Sequence, residues 1–184
     1  MVAINLATPV TTDTKMLVVG SSIILLNDSA VRAIGADGSD KWRLPLTQGV
    51  ASIATAMAAD TAGNIWIAGS SANARIVTPS ATPTVAPINP DNVIVDPKVP
   101  TRADLTIATV WKVSNNGALV STFTLDNSSP LLINSIALNA KGFTLGGTNA
   151  TVAGNSGVLI SSDLEGKFEK PIYLGTSDTS IEAV

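Results

Sequence analysis

Short apolar runs, each followed by Gly and small polar residues, recur along the chain. Met16-Leu-Val-Val-Gly20-Ser-Ser22, Ile65-Trp-Ile-Ala-Gly69-Ser-Ser71 and Phe143-Thr-Leu-Gly-Gly147-Thr-Asn149 are three versions of one pattern. Runs this short, bounded by turn residues, predict strands and not helices. In each the Gly is expected to break the strand, and the hydroxyl or amide after it to bond the backbone of the following turn. A second signal follows each run. Asp37-Gly38, Asn116-Gly117 and Glu165-Gly166 separate two apolar stretches and read as hairpins with type I′ turns. Glu165-Gly166 is the weakest of the three, since that turn needs positive φ at both central residues. The phase beyond these turns is also shared. Six residues after the Gly stand Leu44, Phe123 and Ile172, and eight after it stand Leu46, Leu125 and Leu174. Even offsets put both positions on one face of a strand.

A further strand precedes each of the later runs. Ala51 to Ala59 leads into Asp60-Thr-Ala-Gly63-Asn64, and Ile133 to Leu138 leads into Asn139-Ala-Lys-Gly142. Val2 to Val10 is expected to fill that role in the first repeat, with a poorer match. One unit is therefore four strands in about 45 residues, the size of a propeller blade. The chain divides into blades at approximately 1–48, 49–129 and 130–175. Residues 176–184 start a further inner strand, because Thr179-Ser-Ile-Glu-Ala-Val184 resembles Ala51-Ser-Ile-Ala-Thr-Ala56. The expected fold class is all-β, with β-propeller blades of four antiparallel strands: about three blades plus the first strand of a fourth.

Composition narrows the chemistry. Apolar residues make up 45% of the 184 and charged residues 14%, which suits a packed core of pleated surfaces. The net charge is −3 and the Lys and Arg residues are scattered, so neither a nucleic acid nor an anionic membrane is an expected partner. No apolar stretch approaches the length of a membrane-spanning helix, and no signal-peptide pattern opens the sequence. Cys and His are both absent, which removes disulfides, thiolate and imidazole catalysis and nearly every zinc site. No metal and no cofactor is expected. Carboxylates are the remaining acid–base groups. Asp37 and Asp40 flank a Gly turn with too few oxygens for calcium, and Asp60 is expected to bond its own turn amides.

Asp60-Thr-Ala-Gly63-Asn64-Ile65-Trp66-Ile67-Ala68-Gly69 resembles the Asp-x-x-Gly-Asn-x-Tyr-x-x-Gly motif of NHL-like bacterial β-propeller repeats. The stretch from Val110-Trp-Lys-Val113 through Asn116-Gly117 to Leu125 is similar to the second half of such a blade. The resemblance implies that the first strand of each blade lines a central channel and the fourth lies outermost. It implies a fold and leaves function open, since propellers host unrelated activities. Ser161-Ser-Asp163-Leu-Glu-Gly166-Lys-Phe168 is a near miss to the Asp-box turn of sialidase-type propellers, with Gly one residue late.

The middle unit is interrupted. Six of the ten prolines fall between Ala72 and Asp104, and proline has no amide hydrogen to give to a sheet interior. This Pro-rich insertion, 72–104, reads either as an excursion between strands or as an arm that packs over the fold or onto a neighbour. Within it Val93-Ile94-Val95 is an apolar island and a candidate contact. Trp66 and Trp111 are candidate ligand or partner contacts by stacking, set against the alternative that they fill space between blades.

Three blades leave sheet faces that only neighbours cover. The expected partners are a second copy of the chain, giving a homodimer, or the rest of a longer propeller, with a protein or glycan ligand also open. The function expected is a non-catalytic binding or scaffolding module of a secreted or cell-surface protein. A structural subunit of a surface layer or a viral tail or envelope, and a glycan-active enzyme domain, are the alternatives.

Overall fold

The structure is a computed structural model that describes residues 13–27, 30–47, 50–73, 104–175 and 179–184. These contain twelve strands and no α-helix, in three four-stranded antiparallel sheets. Sheet 1 holds β1 (Lys15–Val19), β2 (Ser22–Asn27), β3 (Ala30–Ile34) and β4 (Asp40–Pro45). Sheet 2 holds β5 (Ser52–Ala59), β6 (Ile65–Ala72), β7 (Leu105–Val113) and β8 (Leu119–Asp126). Sheet 3 holds β9 (Leu131–Asn139), β10 (Gly142–Thr151), β11 (Gly154–Asp163) and β12 (Ile172–Leu174). Strand order in each sheet follows the sequence. The sheets pack face to face in series with sheet 2 in the middle, and their first strands lie side by side, β1 next to β5 and β5 next to β9. The all-β expectation holds, and the series is propeller-like; the three sheets do not close on themselves.

Three details differ from the sequence expectation. Met16 to Val19 belongs to the first strand of its sheet, not to the second, and Gly20 (φ 57°) sits in the hairpin turn between β1 and β2. The similar strings around Gly69 and Gly147 are second strands, so the repeat slips by one strand in the first unit. Val2 to Val10, expected to be the first strand, lies outside the described residues. Gly69 and Gly147 do not break their strands either. Both lie mid-ladder, where an added Cβ would run into the carbonyls of Ile53 and Leu132 on the first strands. Gly is used there to let two backbones approach beside a β-bulge.

The third difference is the turn type. The Gly38 amide donates to the Gly35 carbonyl (3.0 Å) and the Gly35 amide to the Ser39 carbonyl (2.8 Å). Ser114 with Gly117 and Ala118, and Asp163 with Gly166 and Lys167, repeat the arrangement. Gly is thus the fourth residue of each turn, at φ 84°, 86° and 83°, and the central pair precedes it. That is a type I turn closed by a bulge Gly, not type I′.

Ladder register lays the sheets on a common grid. Met16–Leu25–Arg32, Met57–Ile67–Trp111 and Ile136–Leu145–Ile160 are one row of cross-strand neighbours in the three sheets. Each row ends six residues before its turn Gly. On the opposite side of each sheet run Leu26–Val31–Leu44, Ala68–Val110–Phe123 and Gly146–Leu159–Ile172. The first set forms the near side of its sheet, toward the preceding one, and the second set the far side. Far side 1 meets near side 2 in one core cluster, and far side 2 meets near side 3 in another. Sheet 2 is covered on both sides, so every residue of β6 is buried. Each fully buried Ile, Leu or Phe in these seams contributes about 1.5–3 kcal/mol.

Candidate functional site

Trp66 lies wholly inside the seam between sheets 2 and 3. Its ring stacks on Phe123 (centroids 5.8 Å apart, planes 16° off parallel) and tilts against Phe143 at 5.6 Å, while Phe168 meets Phe143 edge-on. The Lys112 ammonium stands 4.6 Å from the Trp66 ring centre. The indole N–H donates to Asp60 Oδ2 (3.0 Å). Asp60 also accepts from the amides of Ala62 (3.0 Å) and Asn64 (2.8 Å) and from the Asn64 side chain (2.8 Å). Burial pushes this carboxyl up, but the hydrogen bonds from Trp66, Asn64 and Ala62 outweigh it and hold it below the ordinary carboxylate range. The motif that resembles a propeller repeat thus ties a turn to an aromatic seam, and no face of Trp66 is open for stacking.

Asp163 accepts from the amides of Glu165 (3.1 Å) and Lys167 (2.8 Å), as Asp60 does at its own turn. In sheet 1 the turn begins with Gly35, and Asp37 takes the task instead, accepting from the Ser39 amide (3.0 Å) and hydroxyl (2.7 Å). The Ser39 hydroxyl first, then its amide, lowers the Asp37 carboxyl. These carboxylates are occupied in turns, one to each, and do not face one another across a cleft as paired acid–base groups must.

Trp111 belongs to the other seam, between sheets 1 and 2. It walls a cleft of about 250 Å³ together with Leu46, Val50, Ile107, Ser71 and Thr109. The cleft lies beside β7, nine residues long, where β3 of the neighbouring sheet has five. Inside, the Thr109 hydroxyl donates to Ser71 (2.9 Å), Ser71 shares a bond with Ser52 (2.8 Å), and Ser52 reaches the Val50 carbonyl (3.3 Å). The chain of hydroxyls satisfies the buried Ser71 and Thr109. Trp42 pins the same seam, its indole donating to the Asn115 carbonyl (3.0 Å). Val93, Ile94 and Val95 lie outside the described residues.

Sequence reasoning expected uncovered sheet faces without naming their residues, and the structure places them at the two ends of the series. Near side 1 exposes Met16 (68%) and Val18 (66%), and far side 3 exposes Ile172 (58%) and Leu174 (42%). The same grid positions in the seams, such as Met57, Ile136 and Phe123, are at least partly covered and packed into a core. The signal was present in the sequence, because Ile172 and Leu174 repeat the phase of Leu44 and Leu46 in the first unit and of Phe123 and Leu125 in the second.

Far side 3 is already begun at its inner edge. Ile133, at the start of β9, donates its amide to Ser70 (3.0 Å) on sheet 2 and receives the Thr55 hydroxyl on its carbonyl. Ile181 stands the same way on sheet 3: its amide donates to the Gly147 carbonyl (3.2 Å), and its carbonyl accepts from the Asn134 side chain (3.4 Å). Asn134 and Thr55 are the bulge residues of β9 and β5. Residues 179–184 form no strand, yet Ile181 and Val184 lie over Gly146, whose missing side chain makes the room.

No family model matches the chain, and no curated protein matches it in sequence. Among solved structures it is similar to a protein from Bacteroides caccae whose crystal structure is described as that of a protein of unknown function. The TM-score is 0.54 at 11% identity, over 91% of this chain and 49% of that one. The likeness is one of fold. This chain spans about half the length of that protein.

Proposed function

We propose that this β-rich module is a non-catalytic binding or scaffolding unit that works by sheet-on-sheet association through its end faces. One observation carries the reading. Side chains that fill the two internal seams have counterparts at both ends of the series that face solvent, Met16 and Val18 on one side and Ile172 and Leu174 on the other. Exposed apolar positions that repeat an internal packing grid mark surfaces meant to be covered. The resemblance to propeller repeats supports the same reading, as does the use of Asp60, Asp163 and Asp37 in turns. An ordered β-module of this kind suits a secreted or surface setting, where its ligand would be a protein, a glycan or another copy.

Sedimentation from low to high micromolar concentration tests the reading, alongside the fluorescence of a dye that binds apolar surface. The expected result is a mass that rises with concentration while dye binding per chain falls. A single-copy species that binds dye equally at every concentration would reject association through these faces.

A further inference from the structure

We infer that the cleft between sheets 1 and 2 binds an uncharged, mainly apolar small molecule whose hydrogen-bond acceptor meets the Trp111 indole N–H. This site is separate from the end faces and stands on different observations. Trp42 and Trp66 commit their indole N–H groups, to the Asn115 carbonyl and to Asp60. The Trp111 N–H has no partner among the described residues, although Trp111 is only 3% exposed and walls the cleft. Nor is that N–H sealed in. Among the described residues, the buried side-chain polar atoms without a partner are the Ser135 and Ser162 hydroxyls alone. A donor that belongs to a buried residue and still reaches solvent is satisfied there by water, or by whatever displaces the water.

The rest of the wall defines the ligand class. The Ser52 hydroxyl donates to the Val50 carbonyl, so Ser71 donates to Ser52, and Thr109 donates to Ser71. All three hydroxyl hydrogens are used within the protein. Trp111 is then the donor that the buried part of the wall offers to a ligand. Leu46, Val50, Ala72 and Ile107 supply apolar surface, and no described residue of the lining carries a charge. An ionised ligand would lose its water here without gaining a counter-charge. An apolar cavity of about 150 Å³ takes a benzene molecule. The 250 Å³ of this cleft has room for a ring with a short substituent.

The second seam holds bulkier side chains at the same place. Eight residues before Gly166 and seven after it stand Val158 and Tyr173, a ladder pair on the near side of sheet 3. Val158 is buried in the core, and the Tyr173 hydroxyl crosses to Asn127, to which it donates (3.3 Å). The matching ladder pair around Gly117 is Thr109 and Thr124. Both line the cleft, and a threonine at 124 is too short to cross the seam as Tyr173 does.

Nitrogen-15 NMR of the 184-residue chain tests this, since each of the three tryptophans gives its own indole N–H signal, told apart by triple-resonance assignment. Acetophenone, a ring bearing a carbonyl, is the probe. Cumene has nearly the same shape without the acceptor, and benzoate carries a charge. Acetophenone is expected to move the Trp111 signal saturably and to leave the Trp42 and Trp66 signals in place. In competition with it, cumene is expected to bind about tenfold more weakly, because it leaves the donor unpaired. Benzoate is expected not to compete. Thr124→Tyr copies Tyr173 at an exposed position, and should abolish the acetophenone response at an unchanged melting temperature. If the melting temperature falls, Thr122→Tyr on the same strand and face replaces it. A Trp111 signal that acetophenone does not move overturns the inference, and so does an equal response in the tyrosine variant. Cumene or benzoate competing as tightly as acetophenone binds overturns it too. None of these results touches association through the end faces, which sedimentation reads separately.

Discussion

Asp60 shows how one side chain can serve turn, strand and seam together. Its four hydrogen bonds reach two amides, the Asn64 side chain and the Trp66 indole, two residues into β6. Replacing Asp60 by Asn removes a charged acceptor from a part-buried site and should cost about 1–3 kcal/mol in denaturant unfolding. The sign of the pH effect follows from the lowered carboxyl. The group ionises more readily folded than unfolded, so its stabilisation is complete above the unfolded value of about 3.9 and is lost as pH falls through the lower folded one. Acid unfolding followed by tryptophan fluorescence should therefore weaken through that window, and less so in the Asn variant. Gly117 carries a different constraint. Its φ is 86°, and a Cβ there would come within 2.5 Å of the Trp42 ring. Gly117→Ala should cost about 2–4 kcal/mol, the sum of the left-handed penalty and overpacking against an aromatic ring. Gly166 meets Phe123 of sheet 2 in the same way, so these two turn Gly residues are also floors for an aromatic from the preceding sheet.

Among the elements, turn positions were legible in the sequence and turn type was not. Asp-Gly and Asn-Gly fit both a type I′ pair and the end of a type I turn with a bulge Gly, and sequence spacing cannot separate them. Hydrogen bonding does, and it explains why Glu165-Gly166 belongs with the others: Glu165 is the third residue, a position that a type I turn fills without needing positive φ. Glu165→Asn should accordingly leave the melting temperature within the range of a neutral surface change, about ±0.5 kcal/mol. A clear gain would restore the type I′ assignment. The slip of the first unit has a similar source. Met16-Leu-Val-Val-Gly20 matches the second strands in composition, but its Gly has positive φ in a two-stranded turn while Gly69 and Gly147 sit in ladders.

Among the described residues the three sheets stack in series, and the middle one packs against a sheet on each side. β6 and β7 should therefore exchange their amide hydrogens most slowly and β12, three residues long and exposed, most quickly, by mass-spectrometric or NMR exchange. If β12 were protected as well as β8, a partner would be covering far side 3 in solution. The cleft at Trp111 belongs to this scale too, since Leu46 walls it from one sheet and Trp111 from the next.

The all-β class, the four-stranded unit and the Gly turns at 38, 117 and 166 were legible in the sequence, because short apolar runs and Gly placement act locally along the backbone. The recurrence of Leu44, Phe123 and Ile172 carried the repeat, and with it the stacking of like units. Tertiary structure alone decided what each side chain faces. Trp66 and Trp111 are adjacent-strand residues in one sheet and look alike in sequence, yet one fills a sealed aromatic seam and the other edges an open cleft. Burial depends on which sheet comes next, and that is a property of neighbours in space. For the same reason Leu174 reads as core in the sequence and stands exposed in the fold.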